Sequence, residues 1–188
     1  ALKAVVEEAG VSEASRADRI ASATRRTITE KMDEDPTFYR SFSELLEETI
    51  RDYRAKRISE RDYLKNVVDL ASKVARKDRG REVPDAIKGN DDGQAFFGIL
   101  EGALATDDGK PIEADEVAAI ALTIIDIIKS HHIVDVWSND IAQNKMRNAI
   151  DDYFFDVLRD ERGIELTVEV MDDLELKIMD LARARFPG

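Results

Sequence analysis

Residues 113–130 read EADEVAAIALTIIDIIKS. Apolar side chains fall on most sides of a helical wheel drawn through this stretch. A helix that is apolar nearly all round must be buried nearly all round, so other helices have to be laid about it. It is not a membrane span: Asp126 breaks the apolar run, which is too short to cross a hydrocarbon core. The segment therefore demands a core built by its neighbours, and 188 residues are enough to supply one.

The neighbours have helical period and helical punctuation. Residues 15–34 put Ile20, Ala23, Thr27, Ile28 and Met32 on one side. Asp35-Pro36 restarts the chain, because aspartate can cap and proline loses nothing at the first helical position. The next stripe is Phe38, Phe42, Leu45, Leu46, Ile50 and Tyr53. Ser59-Glu60-Arg61-Asp62 resembles a capping box with aspartate in place of glutamate, opening a helix through Leu64, Val67, Val68, Ala71 and Val74. A short helix carries Phe96, Phe97, Leu100 and Leu104. A long one runs from Ser138 to about Arg162 and stops at Gly163. A last one, capped by Thr167, carries Met171, Leu174, Ile178 and Leu181. No strand pattern exceeds a few residues. The expected fold is all-α, a bundle-like array of seven to eight helices with no substantial sheet. Residues 81–93, REVPDAIKGNDDG, have turn chemistry and no period. They are the candidate hinge between helical halves 1–80 and 94–188 of a single domain.

Charge narrows the function. The net charge is −12, which opposes nonspecific grip on nucleic acid. From Arg51 to Arg81, however, eleven basic residues face five acids, a local excess of +6. Within that segment Arg54, Arg57, Arg61 and Lys65 lie close to one face and are candidates for DNA phosphate contact, although Ser59 separates them into two helices. The alternative is two solvated helix faces. The chain has no cysteine, which excludes disulfides and thiolate metal sites. With no signal peptide visible, this favours a cytoplasmic protein. A start at Ala1, inside a helical pattern and without methionine, reads as a piece of a longer polypeptide.

Catalytic motifs fail one by one. His131-His132 are adjacent, so they point about 100° apart on a helix, whereas two ligands on one face need i, i+4 spacing. Two imidazoles near a helix C-terminus instead meet the negative end of its dipole. Gly109-Lys110 lacks the spacing, the hydroxyl residue and the strand of a phosphate loop. Pro84-Asp85 with Asp108-Gly109-Lys110 imitates a nuclease pattern whose chemistry needs adjacent strands to hold Mg²⁺. Acid pairs such as Asp91-Asp92 and Asp151-Asp152 are common in so acidic a chain. No catalytic residue, metal ligand or cofactor is assigned.

The helix after Trp137 is unusual in its polar side. Asn139, Gln143, Arg147 and Asp151 form one i, i+4 row, and Asp140, Asn144, Asn148 and Asp152 a second. Asparagine is a poor helix former, so an ordinary solvated face would favour lysine and glutamate. Amides and an arginine in register can serve a partner surface or nucleic acid, or can bond a neighbouring helix of the same chain. Trp137 is either a hydrophobic staple near Ile141 or Ala142 or an interface anchor. The candidate partner-binding set is Trp137, Asn144, Arg147, Asn148 and Asp151.

The stretches SRADRIASATRRTITEKMDEDPTFYRSFSELLEETIRDYRAKRISERDYL (15–64) and WSNDIAQNKMRNAIDDYFFDVL (137–158) resemble the C-terminal helical region of the R (motor) subunit of type I restriction-modification enzymes. The resemblance spans almost the whole chain and rests on helical stretches, not on a catalytic signature. It implies an assembly role: docking the ATP-dependent DNA translocase and endonuclease subunit onto the methyltransferase (M) and specificity (S) subunits. Double-stranded DNA is a further partner it allows, with no membrane. ATP and Mg²⁺ would belong elsewhere in the parent chain, because neither nuclease nor nucleotide-binding motifs occur here.

Overall fold

A computed structural model describes residue 6 and residues 10–106 and 109–188. Among them the chain forms seven α-helices and one pair of two-residue strands, so the architecture is all-α. It divides into two compact units. One ends at Glu82; the other runs from Val83 to Gly188 and includes Asp33–Asp35.

The first unit holds α1 (Glu13–Lys31), α2 (Pro36–Arg54) and α3 (Glu60–Arg76), each packed on the other two. Helix α1 starts earlier than its sequence suggests, because the Ser12 hydroxyl accepts from the Ser15 amide at 3.1 Å and caps it. Its buried side is Ala17, Ile20, Ala21, Thr24 and Ile28, while the expected Ala23 is exposed. Small residues at 17, 21 and 24 allow close packing, and the Thr24 hydroxyl is satisfied by donating to the Ile20 carbonyl at 2.8 Å. In α2, Leu45 is exposed against expectation, since it lies at the edge of the arc centred on Leu46. At α3 the expected Ser59 cap forms, its hydroxyl accepting from the Asp62 amide at 3.1 Å, but the shorter aspartate accepts from the Ser59 hydroxyl at 2.7 Å in place of the backbone N–H that a full capping box would use. Tyr63 has no accessible surface and stacks on Tyr53 at 4.4 Å. It donates to Asp18 at 2.9 Å across the core. Burial and the Asp18 carboxylate hold its phenol far above the ordinary tyrosine range, so it stays a donor.

The second unit opens with a 3₁₀ turn, Asp85–Ile87, that inserts Ile87 fully into the core. Then follow α4 (Asp91–Leu100), β1 (Ala105–Thr106) and α5 (Ala114–His131). A 3₁₀ turn (Val136–Ser138), α6 (Asp140–Asp152), β2 (Ile164–Glu165) and α7 (Val168–Arg185) complete it. The apolar segment is α5, as its composition requires: Ile120, Ile124 and Ile128 are completely buried, with α4 and α6 packed against it. α7 lies against α4 and α6. The strands pair antiparallel, Ala105 with Glu165, and tie the two connections together. The boundary between the units, Glu82–Val83, falls inside residues 81–93, but the later part of that segment is built into the second unit. There Asn90 caps α4 by accepting from the Gly93 amide at 2.9 Å.

One expected helix is not uniform. In place of an α-helix from Ser138 to Arg162, the α-helical part is Asp140–Asp152 and residues Tyr153–Glu161 are π-helical. The fully buried residues Met146, Ile150, Phe154 and Leu158 recur every fourth position. Four residues of α-helix overshoot a full turn by about 40°, so such a row drifts off its core. A wider π turn undershoots and brings the row back.

Candidate interaction face on helix α6

The polar side of α6 separates into an inner and an outer row. Asn139 belongs to neither, because it is the cap: its side chain accepts from the Ala142 amide at 3.1 Å, one residue later than the expected Ser138. The inner row meets α7. Gln143, only 6% exposed, accepts from the Arg183 guanidinium at 3.3 Å. One turn on, Arg147 Nε lies 3.0 Å from Glu175 Oε1. The N–H direction misses hydrogen-bond geometry, so this is an ion pair held by charge. Asp151 comes next, half-buried. Burial, then Asp172 and Asp152, push its carboxyl above the ordinary range. Burial also raises Glu175, with Asp151 and Asp172 adding to the shift and Arg147 opposing it. Arg147 thus offsets the crowding at Glu175, while Asp151 faces like charges from Asp172 and Asp152.

The outer row is Asp140, Asn144, Asn148 and Asp152, all exposed. The Asn144 and Asn148 amides make no side-chain hydrogen bond among the described residues. The sequence brought five residues together as a candidate surface. The structure places Asn144 and Asn148 outward, Arg147 and Asp151 in the seam behind them, and Trp137 at the end of α7.

Trp137 is fixed by the chain's own C-terminal end. Its Nε1–H donates to the Phe186 carbonyl at 2.7 Å, and Arg183 lies 5.4 Å over its ring. His132 Nε2 reaches the same carbonyl at 2.9 Å, and His131 Nδ1 lies 2.9 Å from the Ile127 carbonyl. Both histidines sit at the end of α5, where the helix dipole reading puts them. Glu175, Arg183 and the Phe186 carbonyl were not legible as partners, because contacts across 28 to 54 residues leave no local spacing signal.

In the first unit Arg54, Arg57, Arg61 and Lys65 are all exposed. Arg54 ends α2. Arg57 lies in the turn and pairs with Asp52 at 2.9 Å, and Arg61 and Lys65 occupy successive turns of α3. The Ser59 cap divides the four between two helices. Of the motif look-alikes, Asp85 sits in a 3₁₀ turn and pairs with Lys88 at 2.5 Å, while Asp108 lies outside the described residues. Among the described residues no three His, Asp or Glu side chains are grouped to hold a metal ion, and no helix is long and apolar enough to cross a membrane.

These features define an all-α fold in which the inner polar groups of α6 are engaged by α7 and the outer ones are exposed. The family described as Type I restriction enzyme HindI endonuclease subunit-like, C-terminal, matches residues 16–162, and the chain belongs to it. The domain is thus a C-terminal part of the restriction-enzyme subunit type that the family describes, a membership that supports a role in subunit assembly. No curated protein and no solved structure matches the chain. The match ends at Arg162, so α7 lies beyond it.

Proposed function

We propose that the chain docks the motor and endonuclease subunit onto the methyltransferase–specificity core, with the outer row of α6 as contact. The observation that carries this is the pair Asn144 and Asn148, one turn apart, exposed and uncommitted. A solvated helix face gains nothing from two asparagines, whereas a partner surface gains donors and acceptors fixed on a rigid element. Arg147, Asp151 and Trp137 support that surface by locking α6 to α7 and the end of α7 to the turn before α6. Asn144→Ala with Asn148→Ala should weaken binding to the core by about tenfold, a loss of roughly 1–2 kcal/mol, with circular dichroism unchanged. Unchanged affinity removes the assignment.

A second reading places double-stranded DNA on the first unit. Its support is the exposure of Arg54, Arg57, Arg61 and Lys65 within a segment of net +6. Four phosphate contacts predict that the logarithm of affinity falls with the logarithm of salt at a slope of about −4, with little sequence preference. Anisotropy of labelled duplex across a salt series checks it; no binding at low salt removes it.

A further inference from the structure

Six large hydrophobic residues stand exposed among the described residues, and three of them fall within the nine-residue strip 133–141. Val134 is 84% exposed, Ile141 72% and Ile133 50%, while Val136 between them is fully buried and anchors the strip. Single exposed apolar residues need no explanation; three within nine residues of sequence, the last of them on the helix that carries the uncommitted amides, call for one. Ile141 precedes Asn144 and Asn148 by three and seven residues, which puts all three on one side of α6. The charges bordering this side are acidic and exposed: Asp135, Asp140 and Asp152, against the single base Lys145. The second unit from Val83 onward carries 23 acids and 10 bases, a net −13 that deepens the same field.

We propose that this face takes an apolar helix of the partner protein flanked by lysine or arginine, seated on Ile133, Val134 and Ile141 and steered by the acidic border. The proposal rests on the docking reading above and names the chemistry of the partner element. Apolar anchors give the contact its grip, the asparagines fix its register, and the acids set the sign of the partner. Nucleic acid is repelled by the same border.

The chain lacks cysteine, so Ile141→Cys introduces a single thiol at an exposed site. Its alkylation by a maleimide is timed in the full chain, alone and with the purified methyltransferase–specificity core. The expected result is labelling slowed by about tenfold or more in the complex. Asp140→Lys with Asp152→Lys should weaken core binding by about tenfold and reduce its salt dependence. Leu176→Ser, a change at an exposed apolar residue of α7, is the matched control and should leave binding unchanged. Labelling at full speed in a formed complex, or indifference to charge reversal, overturns the proposal while leaving docking intact. Failure of the unaltered chain to bind the core overturns docking and this proposal together. Protection of the thiol by duplex DNA in place of the core also overturns it. Circular dichroism of each variant confirms the fold, and Val134→Cys repeats the labelling at a position outside any helix.

Discussion

Arg147 is the cation paired with Glu175 in a seam that also holds Asp151 and Asp172, and this local excess of carboxylates shapes how the second unit answers mutation and pH. Removing it leaves Glu175, 17% exposed, facing like charges. A fully buried pair broken on one side costs about 3–5 kcal/mol; with Arg147 itself 36% exposed, Arg147→Ala should cost about 1–2 kcal/mol, read as a lower urea midpoint. The pH response follows from the carboxyls. Asp151 and Glu175 are raised in the folded state from ordinary values of 3.8 and 4.5, so folding binds their protons more tightly than unfolding does. The stability they contribute is complete below those ordinary values and is lost as pH rises through the folded ones. The contribution of these two carboxyls should therefore grow as pH is lowered from 7 to 4.5, and Asp151→Asn should reduce that gain. Urea titrations of both proteins at the two pH values check this, and equal gains would contradict it.

At the scale of elements, Gly93 shows how a helix start is fitted to a turn. A Cβ built there would lie 2.9 Å from Ile87 Cγ2, and Ile87 is fully buried. The stiff β-branched methyl cannot retreat, so Gly93→Ala should destabilise by about 1–2 kcal/mol despite the better helix propensity of alanine. A thermal melt reads the change; a gain in melting temperature would show that the turn yields. Much of the element map was legible in local chemistry. The Ser59 and Thr167 caps, Pro36 at a first turn and the buried α5 all follow from neighbours within one helical turn. The π-helical Tyr153–Glu161 was not legible, because periodicity sets which side is apolar but not which carbonyl each amide chooses. The split of the α6 face was legible only as an open pair of readings. Gln143 and Arg147 lean on α7, a helix whose approach no spacing within α6 encodes, whereas Asn144 and Asn148 remain outside it.

At the scale of the molecule, charge is partitioned along the chain. Residues from Val83 onward carry −13 of the total −12, leaving +1 before them, where the segment from Arg51 to Arg81 holds +6. We propose protein contact on the acidic second unit, with DNA, in the second reading, on the first. Membership in the restriction-subunit family sets the context for both. Hydrogen exchange of the chain, free and bound to the methyltransferase–specificity core, tests the central claim most directly. Protection concentrated in the strip 133–138 and in α6 is the predicted result. Protection confined to α2 and α3, with α6 exchanging at its free rate, would contradict it.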